Sequence, residues 1–121
     1  MEVAIFGKSF GKIFYDNCRQ LFDYLLQQNT KVYIYKPFYD FLLREVTIAP
    51  PVSGFFEHPR ELPPVDMLFS IGGDGTFLEA VTYVQNTGVP IVGINSGRLG
   101  FLADISPDEL PDALREMEEG L

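Results

Sequence analysis

Gly72, Gly73, Asp74, Gly75 and Thr76 bring together the residue types that a phosphate-handling turn requires. Glycine admits positive φ and takes away the Cβ that would keep a phosphate oxygen from backbone N–H groups, while a following helix N-terminus adds oriented donors. Thr76 adds a hydroxyl. Asp74 discriminates between uses of such a turn. A carboxylate inside an anion cradle repels the ligand unless it coordinates a cation or touches the group that reacts. A tight turn with no ligand, the plain alternative for any glycine cluster, has little use for it. A second glycine-rich stretch, Gly97-Arg98-Leu99-Gly100, lies about twenty residues on.

Other chemistry is weaker. Gly7-Lys8-Ser9 imitates the end of a P-loop, but the first glycine of that motif would fall on Glu2. Gly73-Asp74-Gly75 matches only part of the dinucleotide fingerprint, and Asn95 stands where an acidic ribose ligand is required. His58 has no second ligand at metal spacing and reads as a solvated side chain. Cys18 is the single cysteine, which rules out a disulfide framework within the chain, and it reads as a small core residue. Lys8, Lys12 and Arg98 follow strands, and solvated surface charge is their ordinary fate.

The elements that must position the turn follow from hydrophobic periodicity. Val3 to Phe6 reads as a buried strand stopping at Gly7. Ile13, Phe14, Cys18, Leu21, Phe22, Leu25 and Leu26 then recur at helical spacing. Lys31 to Lys36 is β-rich and ends at Pro37, with Phe38, Phe41, Leu42 and Leu43 suited to a short helix beyond it. From Ala49 to Pro64, six breakers (Pro50, Pro51, Gly54, Pro59, Pro63 and Pro64) predict an exposed loop without regular elements. Asp66 to Ile71 is a strand running into the glycine turn, and Phe77, Leu78, Val81, Val84 and Gln85 continue as a helix. Pro90 to Asn95 gives a strand interrupted by Gly93, and Phe101 to Ile105 gives another. Ser106, Pro107 and Glu109 form a capping box for a last helix, with Gly120 placed as its C-terminal stop. Alternating strands and helices predict an α/β fold: a doubly wound, mostly parallel sheet in a Rossmann-like three-layer domain. Both glycine-rich turns then fall at carboxyl ends of strands, where ligands of such sheets bind.

The 121 residues suit one domain, and with 46% hydrophobic, 14% aromatic and 21% charged residues the chain is of ordinary globular composition. A formal net charge of −8 argues against a nucleic-acid partner or an anionic membrane surface, so an anionic ligand must be held locally. The N-terminal apolar run is too short for a signal peptide or membrane span, and with a lone cysteine it suggests a reducing, cytoplasmic setting.

Two motifs together resemble a known family. Ser70-Ile71-Gly72-Gly73-Asp74-Gly75-Thr76-Phe77-Leu78 and Gly93-Ile94-Asn95-Ser96-Gly97-Arg98-Leu99-Gly100-Phe101-Leu102-Ala103-Asp104 look like the paired signature of NAD kinases. Diacylglycerol and sphingosine kinases and phosphofructokinases carry similar first turns. The second motif departs from the lipid kinases' proline-glycine-threonine stretch, and no Thr-Ile-Asp motif of phosphofructokinases occurs here. A non-catalytic nucleotide-binding module is the other alternative. The resemblance implies phosphoryl transfer from ATP or polyphosphate to the 2′-hydroxyl of the adenosine ribose of NAD, with a divalent cation, usually magnesium. It implies that Asp74 is the catalytic carboxylate, that Asp74, Gly75, Leu78, Phe101 and Leu102 line the NAD site, and that Gly72, Gly73, Gly75 and Thr76 serve the phosphates. Whether Asp74 acts as base or metal ligand stays open. The family also implies a homo-oligomeric complete enzyme with a second, β-rich domain that this chain lacks.

Overall fold

The computed structural model describes residues 1–96. The strand expected over Phe101 to Ile105, the helix expected from Ser106 and the second glycine-rich stretch lie outside the described residues. Five parallel strands are present: β1 (Glu2–Gly7), β2 (Lys31–Tyr35), β3 (Gly54–Phe56), β4 (Met67–Gly72) and β5 (Ile91–Asn95), in the order β3-β2-β1-β4-β5. β1, β2 and β4 have strand neighbours on both sides, but β1 and β4 are also covered on both faces, which is why they read as unbroken apolar runs rather than alternating ones. Gly93 does not interrupt β5, because it pairs with Ser70 inside the ladder.

Side-chain alternation divides the core into two layers. Val3, Ile5, Phe69, Ile71 and Ile94 face α1 (Tyr15–Gln27) and α2 (Lys36–Phe41), while Ala4, Phe6 and Leu68 face α3 (Asp74–Val84). The doubly wound, three-layer architecture expected from the sequence is therefore present. Cys18, Leu21, Phe22 and Leu25 form the buried stripe of α1 at positions i, i+3, i+4 and i+7. Burial pushes the Cys18 thiol up to about 12, so it remains an inert core residue at neutral pH.

Three expectations need correction. Ile13 is 87% exposed and Leu26 is 56% exposed. Residues Lys12–Phe14 form a tighter 3-10 turn, which shifts the helical phase ahead of Tyr15, and Leu26 lies one position past the stripe. Lys36 and Pro37 already belong to α2, where proline is tolerated in the first turn, so β2 ends at Tyr35. Phe38, Phe41 and Leu42 are buried beyond it, and a wider π-turn over Leu42–Val46 leaves Leu43 outside.

Residues 49–64 are not devoid of regular structure. Gly54–Phe56 pairs with β2 through Tyr33↔Gly54, Ile34↔Phe55 and Tyr35↔Phe56, and Pro59–Glu61 forms a 3-10 turn. Prolines flank this strand without entering it, and an edge position asks for pairing on one side only. Phe56 reaches the core beside Phe6, Tyr35 and Tyr83.

Candidate phosphate-binding site

The chain winds outward from β1 through β2 to β3, then returns to lay β4 on the opposite side of β1. The carboxyl ends of β1 and β4 thus mark the switch point of the sheet, the usual ligand crevice of an open α/β fold. The glycine turn leaves β4 there. Gly7 pairs with Ile71 on one side, Asn95 pairs with Gly72 on the other, and the Ser96 N–H donates to the Gly72 carbonyl at 3.2 Å. The start of the second motif is in this way fixed beside the first.

Gly73 caps α3 in an extended conformation, and its carbonyl accepts the Phe77 N–H at 3.0 Å. Asp74, Gly75 and Thr76 form the first turn, where helical geometry supplies no acceptors for the N–H groups. The half-buried Asp74 stands at the N-terminal, positive end of the α3 dipole.

The three glycines differ in what they do. Gly72 has φ +155°, and a Cβ there would lie 2.6 Å from Thr76 Oγ1 and 2.8 Å from Thr76 Cβ. Its bare backbone lets α3 sit down on the end of β4. Gly73 and Gly75 do not take positive φ, contrary to expectation, because Gly73 is extended and Gly75 is already helical. Nothing lies within 4 Å of a Cβ built at either position. They leave open space against exposed backbone.

Thr76 also sets the rotation of α3. Since its side chain rests over Gly72, positions 80 and 83 follow on the same face, and Ala80, Tyr83 and Val84 are the buried residues. Of the residues expected at helical spacing, Phe77, Leu78, Val81, Val84 and Gln85, only Val84 is buried. Leu78 is instead 61% exposed. Phe101, Leu102 and Arg98 lie outside the described residues.

Lys8 leaves the end of β1 and forms an exposed ion pair with Glu79 on α3 at 3.2 Å, while Lys12 is exposed. His58 is exposed too, and its backbone N–H donates to Glu61 Oε1 at 3.0 Å. No group of three or more His, Cys, Asp or Glu side chains among the described residues could hold a metal ion. No helix among them is long and apolar enough to cross a membrane.

A pocket that sequence reasoning missed opens at the carboxyl ends of β2 and β3. It has a volume of about 410 Å³ and is lined by Lys36, Phe55, Phe56, Glu57, His58 and Glu61. These residues sit in or beside the proline-rich stretch and carry no recognisable spacing, so no signal in the sequence marked them.

Comparison with known proteins agrees with this geometry. Residues 3–121 match the family described as the ATP-NAD kinase N-terminal domain. The chain is 38% identical over 117 residues to a NAD kinase of Bacteroides fragilis, covering 97% of this chain and 40% of that protein. It is 39% identical over 115 residues to a NAD kinase of Flavobacterium psychrophilum, covering 95% and 39% respectively. The crystal structure of yeast NADH kinase complexed with NADH shares the fold with a TM-score of 0.74 at 18% identity, over 98% of this chain and 38% of that one. The chain spans about two fifths of the length of these relatives. It belongs to the NAD kinase family, whose N-terminal domain it represents.

Proposed function

We propose that the protein carrying this domain transfers a phosphoryl group from ATP or polyphosphate to the 2′-hydroxyl of the adenosine ribose of NAD, giving NADP. The observation that carries this reading is the meeting, at the switch point, of the Asp74 carboxylate with the uncovered backbone of Gly73 and Gly75. The N–H groups of the first turn of α3 bind the phosphates, with Gly72 fixing the turn and the Thr76 hydroxyl beside it. Asp74 holds the attacking hydroxyl. In the transfer, a bond forms between the 2′ oxygen and the terminal phosphorus, and the bond from that phosphorus to its bridging oxygen breaks. ADP, or a polyphosphate shorter by one unit, leaves with the electron pair. The hydroxyl proton passes to Asp74 if it acts as base, and to solvent if it only orients.

Leu78, exposed beside the turn, and Phe101 and Leu102 form the apolar wall for NAD in this reading. The residues present fit a magnesium ion that arrives with the phosphates: the Asp74 carboxylate stands at the turn, and Mg²⁺ is commonly held by one or two carboxylates plus substrate oxygens. When bound, the ion spreads charge over the transferring group. The relatives are longer than this chain, and in this reading a second, β-rich domain completes the grip on the dinucleotide, in a homo-oligomeric enzyme of the reducing cytoplasm. Neither a nucleic acid nor a membrane is a partner in this reading.

The test is product formation from NAD, ATP and magnesium, followed with an NADP-specific dehydrogenase. The protein carrying this domain is expected to form NADP and to leave diacylglycerol and sphingosine unphosphorylated. Phosphorylation of the lipids instead would replace this reading by the lipid-kinase one. Residues 1–121 alone are expected to show little or no turnover, because positioning is most of phosphoryl-transfer catalysis. Turnover by them at the 1–100 s⁻¹ typical of kinases, a rough scale, would show that no further domain is needed.

A further inference from the structure

The pocket at the ends of β2 and β3 has no role in the chemistry described above, yet it shares the carboxyl edge with the glycine turn. Its walls are preformed. Tyr83 of α3 donates its hydroxyl to the Glu57 carbonyl at 3.1 Å, and the Glu57 and His58 N–H groups donate to Glu61 Oε1 at 2.9 and 3.0 Å. Those two backbone donors, Glu57 first, hold the Glu61 carboxyl below the ordinary carboxylate range. Phe55 is 45% exposed, with Tyr39 edge-on to its ring at 5.0 Å and the Lys36 ammonium 5.1 Å from its centroid. Lys36 is steadied by Asp40 at 2.6 Å.

The volume falls within the range of small-molecule sites, and the lining combines an open aromatic ring with carboxylates. Glu57 and Glu61 outweigh Lys36, which is already paired with Asp40, so the pocket suits a neutral ring system with hydroxyl donors rather than phosphates. Toward the turn the chemistry changes sign. Lys8 projects from the end of β1, its ammonium 5.8 Å from the ring centroids of both Phe6 and Tyr35, and Tyr35 in turn packs on Phe56 at the pocket. At about 4.8 Å between strands, β3 and β4 are separated by roughly 14 Å. An extended nucleoside triphosphate bridges a gap of that order.

In-line transfer supplies the direction. The attacking and leaving oxygens lie on opposite sides of the phosphorus. With NAD placed on the β5 side, where Asn95 and Ser96 are held against Gly72, the leaving group must point toward β1, β2 and β3. We propose that this pocket receives the purine nucleoside end of the phosphoryl donor, while its phosphates run along the carboxyl edge past Lys8 to the turn at Gly72. The base stacks on Phe55, the ribose hydroxyls donate to the Glu57 carboxylate, and Lys8 exchanges Glu79 for a phosphate oxygen. This deepens the kinase reading and rests on it.

The experiment compares ADP and inorganic pyrophosphate, each with magnesium, as inhibitors against ATP in the protein carrying this domain. Phe55→Ala is expected to weaken inhibition by ADP about tenfold, the scale of one lost base–aromatic stack, with pyrophosphate unchanged and Phe55→Tyr restoring ADP. Lys8→Ala is expected to weaken both inhibitors. Equal changes for ADP and pyrophosphate in Phe55→Ala, or no change for either, would overturn the pocket assignment while leaving NADP formation standing. A wild-type protein that forms no NADP would overturn the kinase reading itself, an outcome distinct from these.

Discussion

Replacing Asp74 by Asn is expected to lower kcat by about 10²-fold or more, the usual scale for losing a group that takes or positions the reacting proton. Asn keeps the size of the side chain and one carbonyl acceptor but removes the charge. Asp74 sits at the first position of α3, so the substitution also gives up a favourable charge at the helix dipole, about 0.3–1 kcal/mol. That predicts a melting temperature lower by only a few degrees. NAD affinity should change far less than turnover, because backbone and apolar contacts remain. Steady-state kinetics beside thermal melts of both proteins decide the matter. An unchanged kcat would remove Asp74 from the mechanism, and a collapse of the melting temperature would make it a structural residue.

Gly72→Ala is expected to damage both fold and function, through a different route. The added methyl would lie 2.6 Å from Thr76 Oγ1, at φ +155°, so α3 must lift from the end of β4. Overpacking of this kind costs about 1–3 kcal/mol. The lift carries Asp74 away from its place, and a displacement of about 1 Å at a reacting centre can cost on the order of 10²-fold in rate. Gly75→Ala is the informative contrast. It meets no atom within 4 Å, and alanine inside a helix is favoured over glycine by about 1 kcal/mol. The variant should therefore melt higher than the wild type and yet show a raised KM for the phosphoryl donor, because the methyl occupies the space the phosphates need. A more stable Gly75→Ala with unaltered donor kinetics would mean that this space is not used.

The turn was legible in the sequence because its meaning depends on short-range order: an apolar strand, then glycines, then a helix, all within a few residues of Asp74. The central strands β1 and β4 were legible for a related reason, being apolar on both faces. The face of α3 was not. Phe77 and Leu78 have the hydrophobicity of core residues, but the rotation of the helix is set by Thr76 lying over Gly72, a contact between two small residues that no hydrophobic pattern reports. Gly54–Phe56 was hidden because three residues between prolines are too few to show a period, and the pairing that makes them a strand comes from β2. The pocket beside Phe55 shared that fate, since it exists only once β3 is placed. Ile13 and Leu26 fit a regular helical period in the sequence, yet a 3-10 turn breaks that period at one end and Leu26 lies one residue beyond the stripe at the other.

The most direct test of phosphate recognition at this turn is an amide chemical-shift titration of residues 1–121 with magnesium tripolyphosphate, a probe that carries no nucleoside. The Gly73, Gly75 and Thr76 amides are expected to move first and furthest, while Phe55 and Glu57 stay in place. Shifts confined to residues 49–64, with the turn silent, would contradict the account.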